Sequence, residues 1–275
     1  MGTLYLVATP IGNLEDISAR ALRTLREVRC IAAEDTRRTA KLLNHFDIHT
    51  SLISFHEHSR KNKLANLLAE LEAGDLALVS DAGTPLINDP GAELVTAAVA
   101  AGHQICPIPG PSAPLAALVA SGLPAEKFLY LGYLPRKTGE RQLLLREIAN
   151  LSYTLIFLET PHRLLDALGD LEQALGDRQI AVARELTKLH EEILRVTISQ
   201  ARTHFNRQTS RGEFTLVIAG APPQAKEIWS LEKLQAALQE QLAQGLSPSQ
   251  IASLLAAESG WPRREIYRML TKLEG

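Results

Sequence analysis

The chain has 275 residues, 45% hydrophobic and 22% charged, which suits one large or two medium globular cores. Its formal net charge of -2 at pH 7 excludes a surface coated in positive charge, so any nucleic-acid contact must use local patches. The two cysteines, Cys30 and Cys106, lie in apolar runs and read as reduced core residues rather than a disulfide or a metal pair.

Strand-like apolar runs alternate with helical spacing from the start. Residues 4–8 predict a buried strand, followed by a helix carrying Ile17, Ala21, Leu25 and Val28 with Asp16 as N-cap. Strands are expected at 30–33 and 51–55. A helix capped by Ser59 then carries Leu64, Leu67, Leu68 and Leu71 and stops at Gly74. Residues 76–80 predict a strand, Asp89-Pro90 a helix start, Gly102 its end, and 104–108 a strand before a helix opened by Ser112. A second series places strands at 128–132, 153–158, 179–183, 192–198 and 214–219. Its helix opens at Thr160-Pro161 and stops at Gly176. The alternation predicts an α/β class with sheets covered on both faces.

Breaks near residues 121–124 and at Pro222-Pro223 divide the chain into three expected parts. These are an N-terminal α/β domain (1–121), a second α/β domain (122–222) and an all-helical module (223–275). In the module, Leu231, Leu234 and Leu238 form one stripe, Ser247-Pro248-Ser249 begins a helix, and Gly260-Trp261-Pro262 turns into the last one. The first eight residues are too short to be a signal peptide, and no apolar stretch approaches the roughly 18 residues of a membrane span. A cytoplasmic protein without membrane association is expected.

Open α/β sheets bind ligands at the carboxyl ends of their strands. Three loops fall there: Thr9-Pro10-Ile11-Gly12-Asn13, residues 80–91, and residues 107–113. Each joins glycine, which lets backbone approach a ligand, to proline, which stiffens the loop. Any one alone is an ordinary turn; three at one predicted edge make a binding cleft. None has the spacing of a P-loop or a dinucleotide fingerprint, and no metal-ligand pattern occurs, so no metal is expected.

Specific motifs occupy these loops and the end of the strand expected at 30–33. They include Val7-Ala8-Thr9-Pro10-Ile11-Gly12-Asn13-Leu14-Glu15-Asp16-Ile17, Ala33-Glu34-Asp35-Thr36-Arg37, the whole 80–91 loop and Pro109-Gly110-Pro111-Ser112. With Thr160-Pro161-His162-Arg163-Leu164 and Ala183-Arg184-Glu185-Leu186-Thr187-Lys188, they resemble the ribosomal small-subunit RNA (cytidine-2′-O) methyltransferase I family. That family belongs to the tetrapyrrole-methylase (class III methyltransferase) type. The resemblance covers most of residues 3–220. It implies two α/β domains, S-adenosylmethionine in the cleft between them, a homodimer, and a decoding-site cytidine of 16S ribosomal RNA or the 30S subunit as target. Carried over by position, cofactor contacts fall on Pro10, Ser80, Asp81, Ala82, Gly83 and Ile87, with Ser112 and Ala113 on the ribose and methionine side. Leu158, Glu159, Leu186 and Thr215 would form the wall from the second domain.

Methyl transfer to a hydroxyl needs alignment, a proton acceptor and cations for RNA phosphates. Glu34-Asp35-Thr36-Arg37-Arg38 offers carboxylates and arginines together, although the same residues read equally as a helix start with Asp35 as cap. His56, at a strand end, is a further base near neutral pH or a plain turn residue. Arg136 and Lys137, with Arg141 and Arg146 behind them, form a second basic segment, and Arg263, Arg264, Arg268 and Lys272 beside Trp261 and Tyr267 a third. Each reads either as a solvated helix face or as an RNA contact. Two other functions stay open: methylation of a tetrapyrrole intermediate on the same fold, and a non-catalytic RNA-binding assembly factor.

Overall fold

The computed structural model describes residues 2–55, 60–207, 211–222 and 228–273, with side chains omitted at 60–62 and 272–273. Strands β1 (Thr3–Val7), β2 (Cys30–Ala33), β3 (Ser51–Ser54), β4 (Leu76–Val79) and β5 (Gln104–Ile108) form one sheet. Its order is β3-β2-β4-β1-β5 and every pairing is parallel. Side chains alternate faces along a strand, and this sheet uses both. Ile31, Ala33, Ala77 and Val79 pack under α1 (Ala19–Glu27) and α2 (Thr36–His45), while Cys30, Ala32, Leu76 and Leu78 pack under α3 (Arg60–Ala73) and α4 (Ala92–Ala100). Both cysteines are free thiols, and burial pushes the Cys30 thiol up from its ordinary value.

The second sheet is built from β6 (Phe128–Tyr133), β7 (Thr154–Glu159), β8 (Gln179–Arg184), β9 (Glu192–Thr197) and β10 (Phe214–Ile218), in the order β6-β7-β10-β8-β9. Only β6 and β7 run parallel; the other pairs are antiparallel. One face buries Leu155, Phe157, Val182 and Leu216 under α6 (Thr138–Ile148), α7 (Leu164–Leu175) and α8 (Ile198–Asn206). The opposite face buries Ile156, Ala181, Ala183 and Val217 against Ala117 and Leu118 of α5 (Ala113–Ser121). Thus α5 follows the last strand of the first sheet but covers the second.

These two sheets belong to one compact unit, Met1–Ala221; a second unit is Pro222–Gly275. In the latter, α9 (Leu231–Ala243), α10 (Pro248–Ser259) and α11 (Arg263–Leu273) enclose Leu234, Leu238, Ile251, Leu255, Ile266 and Leu270. Among the described residues, no helix is long and apolar enough to cross a membrane.

The expected strands all form, but some helix boundaries differ. Asp16 is not the cap of α1. It ends a short 3-10 turn, Leu14–Asp16, capped by Asn13; Ser18 caps α1 by accepting from the Ala21 amide at 3.0 Å. Asp89-Pro90 does not open α4 either. The N-cap is Gly91 at φ 134°, a backbone shape a side chain strains, and Asp89 stays in the loop before it. Helix α7 begins at Leu164, after Thr160-Pro161 has made a turn. Helix α8 was not anticipated, and α6 only as the solvated-helix option for the basic segment at Arg136–Arg146. The Ser59 cap lies outside the described residues.

Candidate active site

The carboxyl ends of β1, β2, β4 and β5 converge on one edge. Thr9 and Gly83 exchange two backbone hydrogen bonds of 2.9 Å, locking the β1 loop to the β4 loop. The Thr84 hydroxyl donates to the Pro111 carbonyl at 3.2 Å, tying in the β5 loop, and the Asp35 amide donates to Asp81 Oδ1 at 3.1 Å, tying in the end of β2. The Ser80 hydroxyl donates back to the carbonyls of Ala82 and Gly83, folding the turn on itself. The glycine- and proline-bearing loops therefore share one rim.

Beside that rim lies a cavity of about 290 Å³, near the lower end of the ~300–1,000 Å³ range of small-molecule sites. Of the residues named from sequence, Glu34, Arg38, Asp81, Ala82, Ile87, Ala113, Leu158, Glu159 and Thr215 line it. Ser80 and Gly83 support it from the β4 turn, while Pro10 and Ser112 stand at half-buried positions in the adjoining loops. Leu186 does not reach the lining; it packs behind Ile11 with Ala117 and Ala183. Arg136 and Lys137 are exposed and outside the lining, with Lys137 paired to Glu140 at 3.0 Å. Asp35 acts as the N-cap of α2, accepting from the Arg37 amide at 2.9 Å and from its guanidinium. Those bonds hold its carboxyl down at about 2 and leave Arg37 engaged at the surface. His56 lies outside the described residues.

Sequence reasoning missed Asn88, Asp89, Tyr133, Glu213 and Phe214 as lining residues. Asp89 was legible as part of the 80–91 loop, but Asp-Pro resembles a helix start too closely. Glu213 and Phe214 carried no local signal, because only the antiparallel pairing of β10 with β7 and β8 brings them to the site.

Among the described residues the lining is acidic: Glu34, Asp81, Asp89, Glu159 and Glu213 stand beside one lining cation, Arg38, which pairs with Asp81 at 3.2 Å, while Glu213 reaches Lys188 behind the wall at 3.1 Å. Burial pushes the Glu34 carboxyl up, and the charges of Asp89 and Asp81 push it further. Burial likewise raises Asp89, with Asp81 adding to the effect and a hydrogen bond from Ser80 opposing it. Glu159 has a fully buried side chain. Its Oε1 accepts from the Thr160 amide at 2.8 Å, whereas Oε2 lies 3.4 Å from the Arg163 guanidinium without accepting any hydrogen bond. A buried carboxylate oxygen in that state is an acceptor for a ligand donor. On the second sheet, a β-bulge between Tyr130 and Tyr133 brings Gly132 to φ 66°. The Tyr130 hydroxyl donates to Asn88 Oδ1, and burial, with Tyr133 and Asp89 nearby, pushes Tyr130 up to about 12.

Two covered sheets whose loops enclose an acidic, partly apolar cavity define a small-molecule site of the methylase-fold type. The model of the tetrapyrrole (corrin/porphyrin) methylases matches residues 3–202. A uroporphyrin-III C-methyltransferase from Thermus thermophilus, solved complexed with S-adenosyl homocysteine, has a similar fold at 19% identity. The TM-score is 0.54, over 78% of this chain and 97% of that one. Two proteins named ribosomal RNA small subunit methyltransferase I are much nearer in sequence. That of Synechocystis sp. is 50% identical over 100% of this chain and 99% of its own length. That of Halalkalibacterium halodurans is 48% identical over 98% and 94%. The chain therefore belongs to the tetrapyrrole methylase family and, within it, groups with the ribosomal RNA small subunit methyltransferase I proteins.

Proposed function

We propose that this chain transfers the methyl group of S-adenosylmethionine to the ribose 2′-hydroxyl of a cytidine in small-subunit (16S) ribosomal RNA. The substrate class rests on the 50% identity over the whole chain to a ribosomal RNA small subunit methyltransferase I. The observation that carries the chemistry is the acidic cavity. Among the described residues, Glu34 and Asp89 line it without an ion-pair partner beside the Asp81–Arg38 pair, while Glu159 and Glu213 pair with Arg163 and Lys188 behind the wall, a balance that suits a donor with net positive charge. Ile11, Ala82, Ala113, Leu158 and Phe214 offer apolar surface to its adenine, and the unsatisfied Glu159 oxygen offers an acceptor to an amino group. These residues fit that group.

When bound, S-adenosylmethionine supplies an already activated methyl group, so the chain need provide only alignment and proton removal. Ser80, Asp81, Ala82, Gly83 and Ile87 hold the donor from the β4 loop, with Pro10, Ser112 and Ala113 beside it. Leu158, Glu159 and Thr215 close the cavity from the second sheet, and Leu186 supports that wall from behind. Glu34 is the proton acceptor we favour over Asp35. It faces the cavity with its pKa raised toward the working range, whereas Asp35 is consumed by its cap and by Arg37. His56 stays a further candidate. Because the cavity repels phosphate, the RNA backbone lies outside it, with Arg136, unpaired among the described residues, as its contact and Arg37, Arg38 and Lys137 joining only by exchanging Asp35, Asp81 and Glu140 for phosphate. The three-part division at 121 and 222, a homodimer and a cytoplasmic location complete the reading; light scattering tests the dimer.

The test incubates the protein with methyl-labelled cofactor and 30S subunits or naked small-subunit RNA, then digests the RNA to nucleosides. Label in 2′-O-methylcytidine is expected. Label on a base, in protein or in an added porphyrinoid, with none on ribose, overturns the proposal.

A further inference from the structure

The second unit is electrically balanced but unevenly so. Residues 222–275 contain six Lys or Arg and six Glu. Of the six cations, Arg263, Arg264, Arg268 and Lys272 fall in the last helix, where the only acid before residue 274 is Glu265. Core packing fixes which way α11 faces. Ile266 and Leu270 are fully buried, which turns the positions 263, 264, 267, 268 and 271 away from the core at helical spacing. Glu265 borders that arc on the Arg268 side, three residues before it, without an ion pair to it. Among the described residues, Arg263, Arg264, Tyr267 and Arg268 line a surface depression of about 550 Å³. Tyr267 keeps 46% of its surface exposed between them. Among the described residues, none of the three arginines has an ion-pair partner; Arg263 donates only to the Ser249 hydroxyl, at 3.1 Å.

The approach to α11 is short and hydrogen-bonded. Helix α10 ends at Gly260, φ 71°, and Trp261-Pro262 completes a three-residue turn into α11. The Trp261 indole donates to the Trp229 carbonyl at 2.7 Å, and its amide to the Ser259 hydroxyl at 3.2 Å. Two helices joined by a short glycine-bearing turn, the second presenting polar side chains outward, are the supersecondary unit of helix-turn-helix nucleic-acid binders. Unneutralised arginines beside an exposed aromatic are what unpaired RNA requires, phosphates on the guanidinium groups and a base on the ring.

We propose that the α10-turn-α11 unit is an RNA-docking surface, with Arg263, Arg264 and Arg268 on phosphates and Tyr267 stacked on an unpaired base. The choice of RNA as the polyanion rests on the function proposed above; the surface itself does not depend on the cleft.

The test uses the full chain and in-vitro-transcribed small-subunit ribosomal RNA. The triple variant R263Q/R264Q/R268Q is expected to bind at least tenfold more weakly and to flatten the slope of log affinity against log salt by about two, as loss of three phosphate contacts requires. The charge-keeping variant R263K/R264K/R268K retains the slope. Y267A weakens binding by about tenfold while Y267F does not, since a ring without its hydroxyl still stacks. Calorimetric binding of S-adenosylhomocysteine stays unchanged throughout, which reports an intact cleft. Parental affinity and slope in the glutamine variant overturn the proposal, as does a change of molecular mass with RNA affinity intact, which makes the surface a protein contact. If the parent methylates RNA and the variants bind it equally well, this inference alone fails. If the parent neither binds nor methylates RNA, both readings fail.

Discussion

Glu34 and Asp89 both line the cavity wall, and both resist ionisation chiefly because of burial, with the neighbouring Asp81 adding to it. The sign of the consequence is fixed by linkage. A carboxyl raised in the folded state contributes stability below its ordinary pKa and loses it as pH rises through the raised value. The ligand-free protein is therefore less stable at neutral pH than it would be with neutral side chains there, and Glu34→Gln is expected to raise its melting temperature slightly at pH 7. A cation in the cavity reverses the preference. Calorimetry at rising pH, from the ordinary carboxyl range upward to neutrality, is expected to show S-adenosylmethionine binding more tightly and releasing protons. Affinity that falls with rising pH refutes the cationic-donor reading. The same residues separate the proton acceptors. Glu34→Gln is expected to weaken donor binding and, at saturating donor, still to lower turnover by roughly 10²–10⁴. Asp35→Asn keeps a cap acceptor for α2 and is expected to retain activity. Equal losses in both variants would remove the distinction drawn between them.

At the scale of elements, the cavity is held by loops in costly conformations. Leu86 (φ 73°) and Asn88 (φ 65°) strain the β4 loop; Glu185 (φ 51°) and Thr187 (φ 64°) strain the turn after β8. Each such residue costs about 1–3 kcal/mol and persists only where its surroundings over-determine it. For Thr187 the surroundings are visible. Its hydroxyl accepts from the Asn13 amide at 3.1 Å, and its own amide donates to Glu191 at 2.6 Å. For Asn88 the support is β6, where a Cβ on Gly132 would stand 2.5 Å from Asn88 Nδ2. Gly132→Ala is therefore expected to cost about 1–2 kcal/mol in backbone strain alone. It should also displace Asn88, lowering the unfolding midpoint in urea and weakening donor binding together. An unchanged Kd would show that Asn88 does not shape the cavity. The strands were readable in advance because runs such as Cys30–Ala33 and Leu76–Val79 are apolar on both faces. Helix α8 was not, nor α6 as a packed helix, because polar residues break their stripes and their apolar positions face a sheet whose existence had first to be assumed. The reversal of β7, β8, β9 and β10 into antiparallel pairs was also hidden, since pairing direction is set by tertiary contacts. That reversal delivers Glu213 and Phe214 to the site, so the half of the cavity formed by the first sheet was legible and much of the other half was not.

At the scale of the whole molecule, a net charge of -2 gives no general attraction for a polyanion. RNA affinity must then come from a few cations that are free to release counterions. Arg37, Arg38 and Lys137 are already balanced by Asp35, Asp81 and Glu140 at 3.0–3.2 Å. Arg136 and the three arginines of α11 have no ion-pair partner among the described residues. Four phosphate contacts correspond to a slope of log affinity against log salt of about -3, since each contributes about 0.7–0.9. Filter binding of small-subunit RNA between ~50 and ~200 mM salt measures this directly. A slope near -3 supports recognition by a few unbalanced arginines. A slope steeper than about -5 needs about seven contacts, which other cations without an ion pair among the described residues, such as Arg23 and Lys41, can supply, or which the paired cations supply by exchanging their carboxylates for phosphate. In the latter case the acidic wall would loosen as RNA docks, and donor affinity measured with RNA present would fall below that of the free protein.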